Sequence, residues 1–121
     1  PVAFAPYVRQ LPLAGVGPKA VLFQWAVGDR TVPNPTTAAL LAAGQLLPAS
    51  VLFRHDVLAP GLPDRFKDPH AFLTWTAFPE VHAIGRAAQE QVARFFLSGG
   101  RQIERTLPEF ETAGTLPATG H

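Results

Sequence analysis

The sequence has no cysteine and no methionine in 121 residues. Without thiols, disulfide bridges and thiolate metal sites are excluded, and cysteine usage gives no clue to redox compartment. Blocks of like charge are also missing. Ten Lys and Arg against nine Asp and Glu are spread along the chain for a formal net charge of +1, so neither a basic nucleic-acid footprint nor an acidic solvating tail is expected. No apolar run approaches the roughly 18 residues that a bilayer crossing requires, and none has the layout of a secretory signal. A start at Pro1 with no Met raises the expectation that these residues are a piece of a longer polypeptide; localisation is left unknown.

Apolar residues, by contrast, are plentiful. The chain is 47% hydrophobic with nine Phe and two Trp, enough to fill a small core and far from the composition of disorder. Residues 1–18 are apolar but broken by Pro and Gly, and are expected to form an extended lead-in. Residues 19–25 (KAVLFQW) show little polar alternation, as in a strand buried on both faces of a parallel sheet. After a loop, Asn34 and Pro35 read as cap and first residue of a helix over 36–43 that covers the sheet, with Gly44 as its left-handed stop. Residues 50–54 (SVLFR) read as a second strand, and 56–79, punctuated by Pro60, Pro63, Pro69 and Pro79, as a long loop. A helix over 80–97 follows, with Val81, Ile84, Ala88, Val92, Phe95 and Phe96 at core spacing and Arg86, Glu90 and Arg94 facing away. The tail, 101–121, offers at most a short strand over 102–105.

The fold class is therefore α/β. Two buried strands joined by a helix imply a right-handed βαβ crossover and parallel pairing, followed by a further helix. Two strands leave edges that need neighbours. Either copies of the chain associate, or the rest of the sheet lies in polypeptide not included here; the second is preferred.

Loops beyond the C-terminal ends of parallel strands are where α/β proteins place their sites. Asp29 follows the first strand on a turn opened by Gly28, and His70 follows the second in Asp68-Pro69-His70-Ala71-Phe72-Leu73. Parallel pairing brings them side by side as the carboxylate and imidazole of a triad. The plainer readings are a turn Asp bonded to its own loop and a loop His without a role. His82, near the start of the last helix, is the rival imidazole; His70 is preferred for its loop position. His55-Asp56 ends the second strand and reads as a turn or capping pair, while His55, Asp56, His70 and His82 together are the weaker metal option. Asp64, Asp68 and Glu80 read as solvating carboxylates, and His121 as uninformative. Phe72, Trp75 and Phe78 flank His70, either as an apolar rim for an acyl group or as pins for a long loop.

Val21-Leu22-Phe23-Gln24 through Gly28-Asp29-Arg30-Thr31-Val32-Pro33 resembles the acid-bearing strand and loop of α/β-hydrolases, and Pro69-His70-Ala71-Phe72-Leu73 resembles the histidine segment of their lipases and esterases, with Ala71 in place of Gly. The closing helix, ending in Phe95-Phe96-Leu97-Ser98-Gly99, is similar as well. The resemblance covers residues 19–100 and implies the C-terminal βαβα portion of an α/β-hydrolase fold. Asp29 and His70, with His82 as the alternative histidine, would be its triad members. It implies an ester or lipid small molecule as substrate, no cofactor or metal, and the N-terminal part of the same fold as partner. One departure matters. The family's Gly-x-Ser-x-Gly nucleophile precedes the acid, whereas the only serines here are Ser50 and Ser98, both after it; the oxyanion-hole loop is missing too. The chain alone is expected to be inactive. Two other expectations stand beside this one: a non-catalytic α/β module that assembles through open sheet edges, and a His/Asp metal-dependent hydrolase.

Overall fold

The computed structural model describes residues 1–103 and the backbone of 110–112. Strand β1 (Phe23–Ala26) pairs in parallel with β2 (Ser50–Phe53), with Phe23 opposite Ser50 and Ala26 opposite Phe53. Helix α1 (Asn34–Ala43) connects them. The class is α/β, and the parallel pair joined by a helix is as the apolar runs predict. All four residues of β2 are buried, as expected of a strand covered on both faces. A third strand, β3 (Phe110–Thr112), lies antiparallel to β2, giving the order β1-β2-β3. The tail strand expected over 102–105 is not seen at 102 and 103; 104 and 105 lie outside the described residues, as does His121.

Side-chain alternation along the strands separates two cores. Trp25 and Leu52 point toward α1 and pack with Leu41 and Leu46. Ala26, Val51 and Phe53 point the other way and pack with Phe66, Phe72, Trp75, Val81 and Ala88. The second core is covered by helix α3 (His82–Leu97) and by a 3-10 segment, Phe72–Ala77. Gly85 makes that packing possible. A Cβ there would lie 2.6 Å from the Thr76 backbone nitrogen, so the helix gives up propensity to let two backbones touch.

Several local expectations need correction. The lead-in is not simply extended: Val2–Val8 forms a 3-10 helix with Pro6 inside it, because proline's fixed φ already suits that conformation. Gly44 closes α1 at φ −88, and Gln45, at φ 47, takes the left-handed position instead. The region 56–79 is not plain loop. It holds a short helix α2 (His55–Leu58) and 3-10 turns at Ala59–Gly61, Asp64–Phe66 and Phe72–Ala77. Helix α3 starts two residues later than expected, and Phe96 is 73% exposed. Adjacent residues sit about 100° apart on a helix, so Phe95 and Phe96 cannot both face the core, and Phe95 does. Polar Gln91 is buried instead, its side-chain oxygen accepting from Gln24 Nε2 at 2.7 Å; the same nitrogen reaches the Ala88 carbonyl at 2.9 Å.

Candidate functional site

The parallel pair sets the site. Its strands end side by side at Ala26 and Phe53, and the Val27 N–H donates to the Phe53 carbonyl at 3.0 Å. Beyond this point the chain turns at Gly28, where φ is +85, a conformation that favours glycine. Asn34 clamps the turn from the head of α1. Its Oδ1 accepts from the Gly28 N–H at 2.8 Å and its Nδ2 donates to the Ala26 carbonyl at 2.6 Å. The expected capping role is thereby corrected: Asn34 is the first helical residue, preceded by Pro33 as cap, and it ties β1 to α1 rather than capping its own helix.

Asp29 occupies the tip of this turn with its two oxygens in different roles. Oδ1 accepts from the backbone N–H groups of Thr31 at 2.9 Å and Val32 at 2.7 Å. Oδ2 meets His70 Nδ1 at 3.1 Å, across 41 residues of chain. The turn-aspartate reading and the acid–imidazole pairing thus hold together, one oxygen each. An ionised carboxylate can only accept, so this contact calls for the proton on Nδ1, which in a neutral ring leaves the lone pair on Nε2. The Asp29 side chain is 15% exposed and that of His70 46%, so the imidazole opens to solvent from a sheltered carboxylate.

Asp68 is the functional candidate that sequence reasoning missed. Its Oδ1 accepts from the Arg30 N–H at 3.2 Å and the His70 N–H at 3.1 Å, and its Oδ2 from the Thr31 hydroxyl at 3.2 Å. Burial opposes its ionisation, but these three donors and the nearby His70 outweigh that and hold its pKa below the usual 3.8. The only hint in the sequence is an Asp two residues before a His, too common a pattern to single out. Among the other loop carboxylates, Asp64 is exposed and Glu80 pairs with Arg65.

The remaining histidines behave otherwise. His82 is an exposed residue at the start of α3, and the imidazole bonded to Asp29 is that of His70. His55 is 2% exposed and donates from Nε2 to the Phe66 carbonyl at 2.7 Å. Burial pulls its pKa below 6.5 despite that bond and the nearby Asp56 and Asp68 carboxylates. Asp56 is held by Arg54 at 2.6 Å, which lowers its own pKa. His55, Asp56, His70 and His82 therefore do not converge, and among the described residues no group of three or more His, Asp or Glu is placed to hold a metal ion. Phe72 and Trp75 are buried against Phe53 and Phe66; they pin the loop to the core and do not form a rim around His70. Phe78, 40% exposed, stacks edge-on against Phe66.

Neither serine serves this pair. Ser50 is fully buried and bonds the Leu47 carbonyl at 2.9 Å; Ser98 closes α3 by bonding the Phe95 carbonyl at 2.7 Å. Among the described residues no helix is long and apolar enough to cross a membrane. No protein-family model, curated protein or solved structure matches the chain.

Proposed function

We propose that these residues are the C-terminal part of a serine ester hydrolase of the α/β-hydrolase type, supplying the acid Asp29 and the base His70 of a triad whose serine comes from outside the 121 residues. The observation that carries this reading is the 3.1 Å contact between Asp29 Oδ2 and His70 Nδ1 at the C-terminal rim of two parallel strands. In that role Asp29 fixes the Nδ1–H tautomer and stabilises the imidazolium. Nε2 takes the proton of the attacking serine and returns it to the leaving alcohol. The acyl-enzyme is then cleared by water activated by the same nitrogen. The substrate is an ester or lipid-like small molecule. Val32 and Leu73, exposed apolar residues three positions from Asp29 and His70 respectively, favour an apolar acyl or aryl group.

Among the described residues one side of the sheet has no paired strand, which favours a missing neighbour. Strand β1 stands at the edge of the order β1-β2-β3. Beside it, Ala20, Val21, Leu22 and Phe23 with Val92, Phe95 and Phe96 line an apolar groove of about 270 Å³. The same edge favours, as a second reading, a non-catalytic module that assembles by strand addition.

A fluorophosphonate ester separates the two. Expressed together with the serine-bearing part that this reading places outside the 121 residues, the protein is expected to be phosphonylated at a serine, and Asp29→Asn to slow that labelling by on the order of 10⁴-fold. Labelling that ignores Asp29→Asn, or no labelling from a folded protein, contradicts the hydrolase reading.

A further inference from the structure

An exposed imidazole on a proline-punctuated segment is hard to hold by one hydrogen bond. Water competes for both partners, and ordering the segment costs conformational entropy. Yet Asp29 and His70 meet with the ring correctly turned. The backbone on each side of that contact is gripped by a second carboxylate. Asp68 Oδ1 accepts from the N–H of His70 itself and from that of Arg30, the residue after Asp29, while Oδ2 accepts from the Thr31 hydroxyl. Between Asp68 and His70, Pro69 is fully buried and fixes the chain direction. A simple Asp turn explains the bond to His70 two residues on. It does not explain the two bonds to the other loop.

We infer that Asp68 is a positioning residue: it fastens the acid loop to the histidine loop, and so sets the imidazole tautomer that Asp29 requires. The inference rests on the reading of Asp29 and His70 as a working pair. It adds a carboxylate that touches neither substrate nor nucleophile, and its bonds to the two loops run through the His70 and Arg30 N–H groups and the Thr31 hydroxyl. Removing it loosens both loops at once, because Arg30 and Thr31 lose their shared acceptor along with His70.

The test is the tautomer of His70, read by long-range ¹H–¹⁵N correlation on the full chain at about pH 8.5, two units above the ordinary histidine value. The wild type is expected to favour Nδ1–H by roughly tenfold, the margin one charge-assisted bond supports. Asp68→Ala is expected to cut that excess several-fold. Asp68→Asn, which keeps an oxygen acceptor for the two N–H groups, is expected to retain most of it. Thr31→Val, which removes one of the three bonds, is expected to fall between. Asp29→Asn is the control. Its remaining oxygen stays with the Thr31 and Val32 N–H groups, so its amide faces Nδ1 and should invert the preference to Nε2–H. An unchanged ratio in Asp68→Ala, with inversion in Asp29→Asn, overturns the role of Asp68 and leaves the pair standing. No inversion in Asp29→Asn overturns the pair itself. If Asp68→Ala does not fold, Thr31→Val decides, and a wild-type ratio there overturns the inference.

Discussion

Two histidines that follow the same strand end in opposite surroundings. His55 directly follows Arg54 at the end of β2; it is sealed between Phe53 and Trp75 and donates from Nε2 to a backbone carbonyl. His70, fifteen residues further on, is half-exposed and donates from Nδ1 to a carboxylate. Burial and partner together make the difference. Burial keeps the His55 ring neutral even though its bond to the Phe66 carbonyl pulls the other way. His70 instead faces solvent with a carboxylate against Nδ1. The segments after one strand therefore hold a sealed imidazole and an open one, and burial with partner, not residue type, tells them apart.

That contrast is broken most forcefully at the buried ring. His55→Ala leaves a cavity among Phe53, Phe66 and Trp75 and orphans the Phe66 carbonyl, and is expected to lower unfolding free energy by about 3 kcal/mol, measured by chemical denaturation. A loss below about 1 kcal/mol, the size of a surface effect, contradicts the packing described.

Next in size is a pH effect. Burial lowers the His55 pKa in the folded state below 6.5, so below that pH the unfolded chain binds a proton that the folded one refuses. Stability is thus fully present above pH 6.5 and falls as pH drops, with a slope of at most about 1.4 kcal/mol per pH unit, until the folded value is reached. Asp56 and Asp68, with lowered pKa values, withdraw their contributions only below 3.8. Denaturation midpoints of His55→Phe should lack the loss between those limits, and a wild-type profile in the variant contradicts it. The smallest effect belongs to the exposed ring: His70→Ala should change stability by no more than about 0.5 kcal/mol.

Much of the frame was legible in the residues. The unalternating apolar runs ending at Trp25 and Phe53, with a helix-length Ala/Leu segment between them, lead directly to a parallel pair, and that pairing brings Asp29 toward His70. What escaped was tertiary in origin. Nothing in Gly85 announces a backbone packed against it, and nothing in Gln91 announces a buried amide partner on β1. Asp68 looked like a solvent-facing acid because two of its three donors, Arg30 and Thr31, lie in a loop distant in sequence. Phe95 and Phe96 are equally apolar, and only the helix's rotation against the sheet chooses between them. The proline-rich region hid α2 and its 3-10 turns because proline marks a break in regular helix as readily as the start of a short one.

The account turns on which imidazole serves the Asp29 carboxylate. Under the proposed function, its most direct measurement is ester hydrolysis by the chain combined with the serine-bearing part that the proposal places outside it, comparing His70→Ala with His82→Ala in folded protein. Activity is expected to fall by on the order of 10⁴-fold or more in the first and to stay within a few-fold of wild type in the second. The reverse ranking, or equal modest losses in both, would contradict the account.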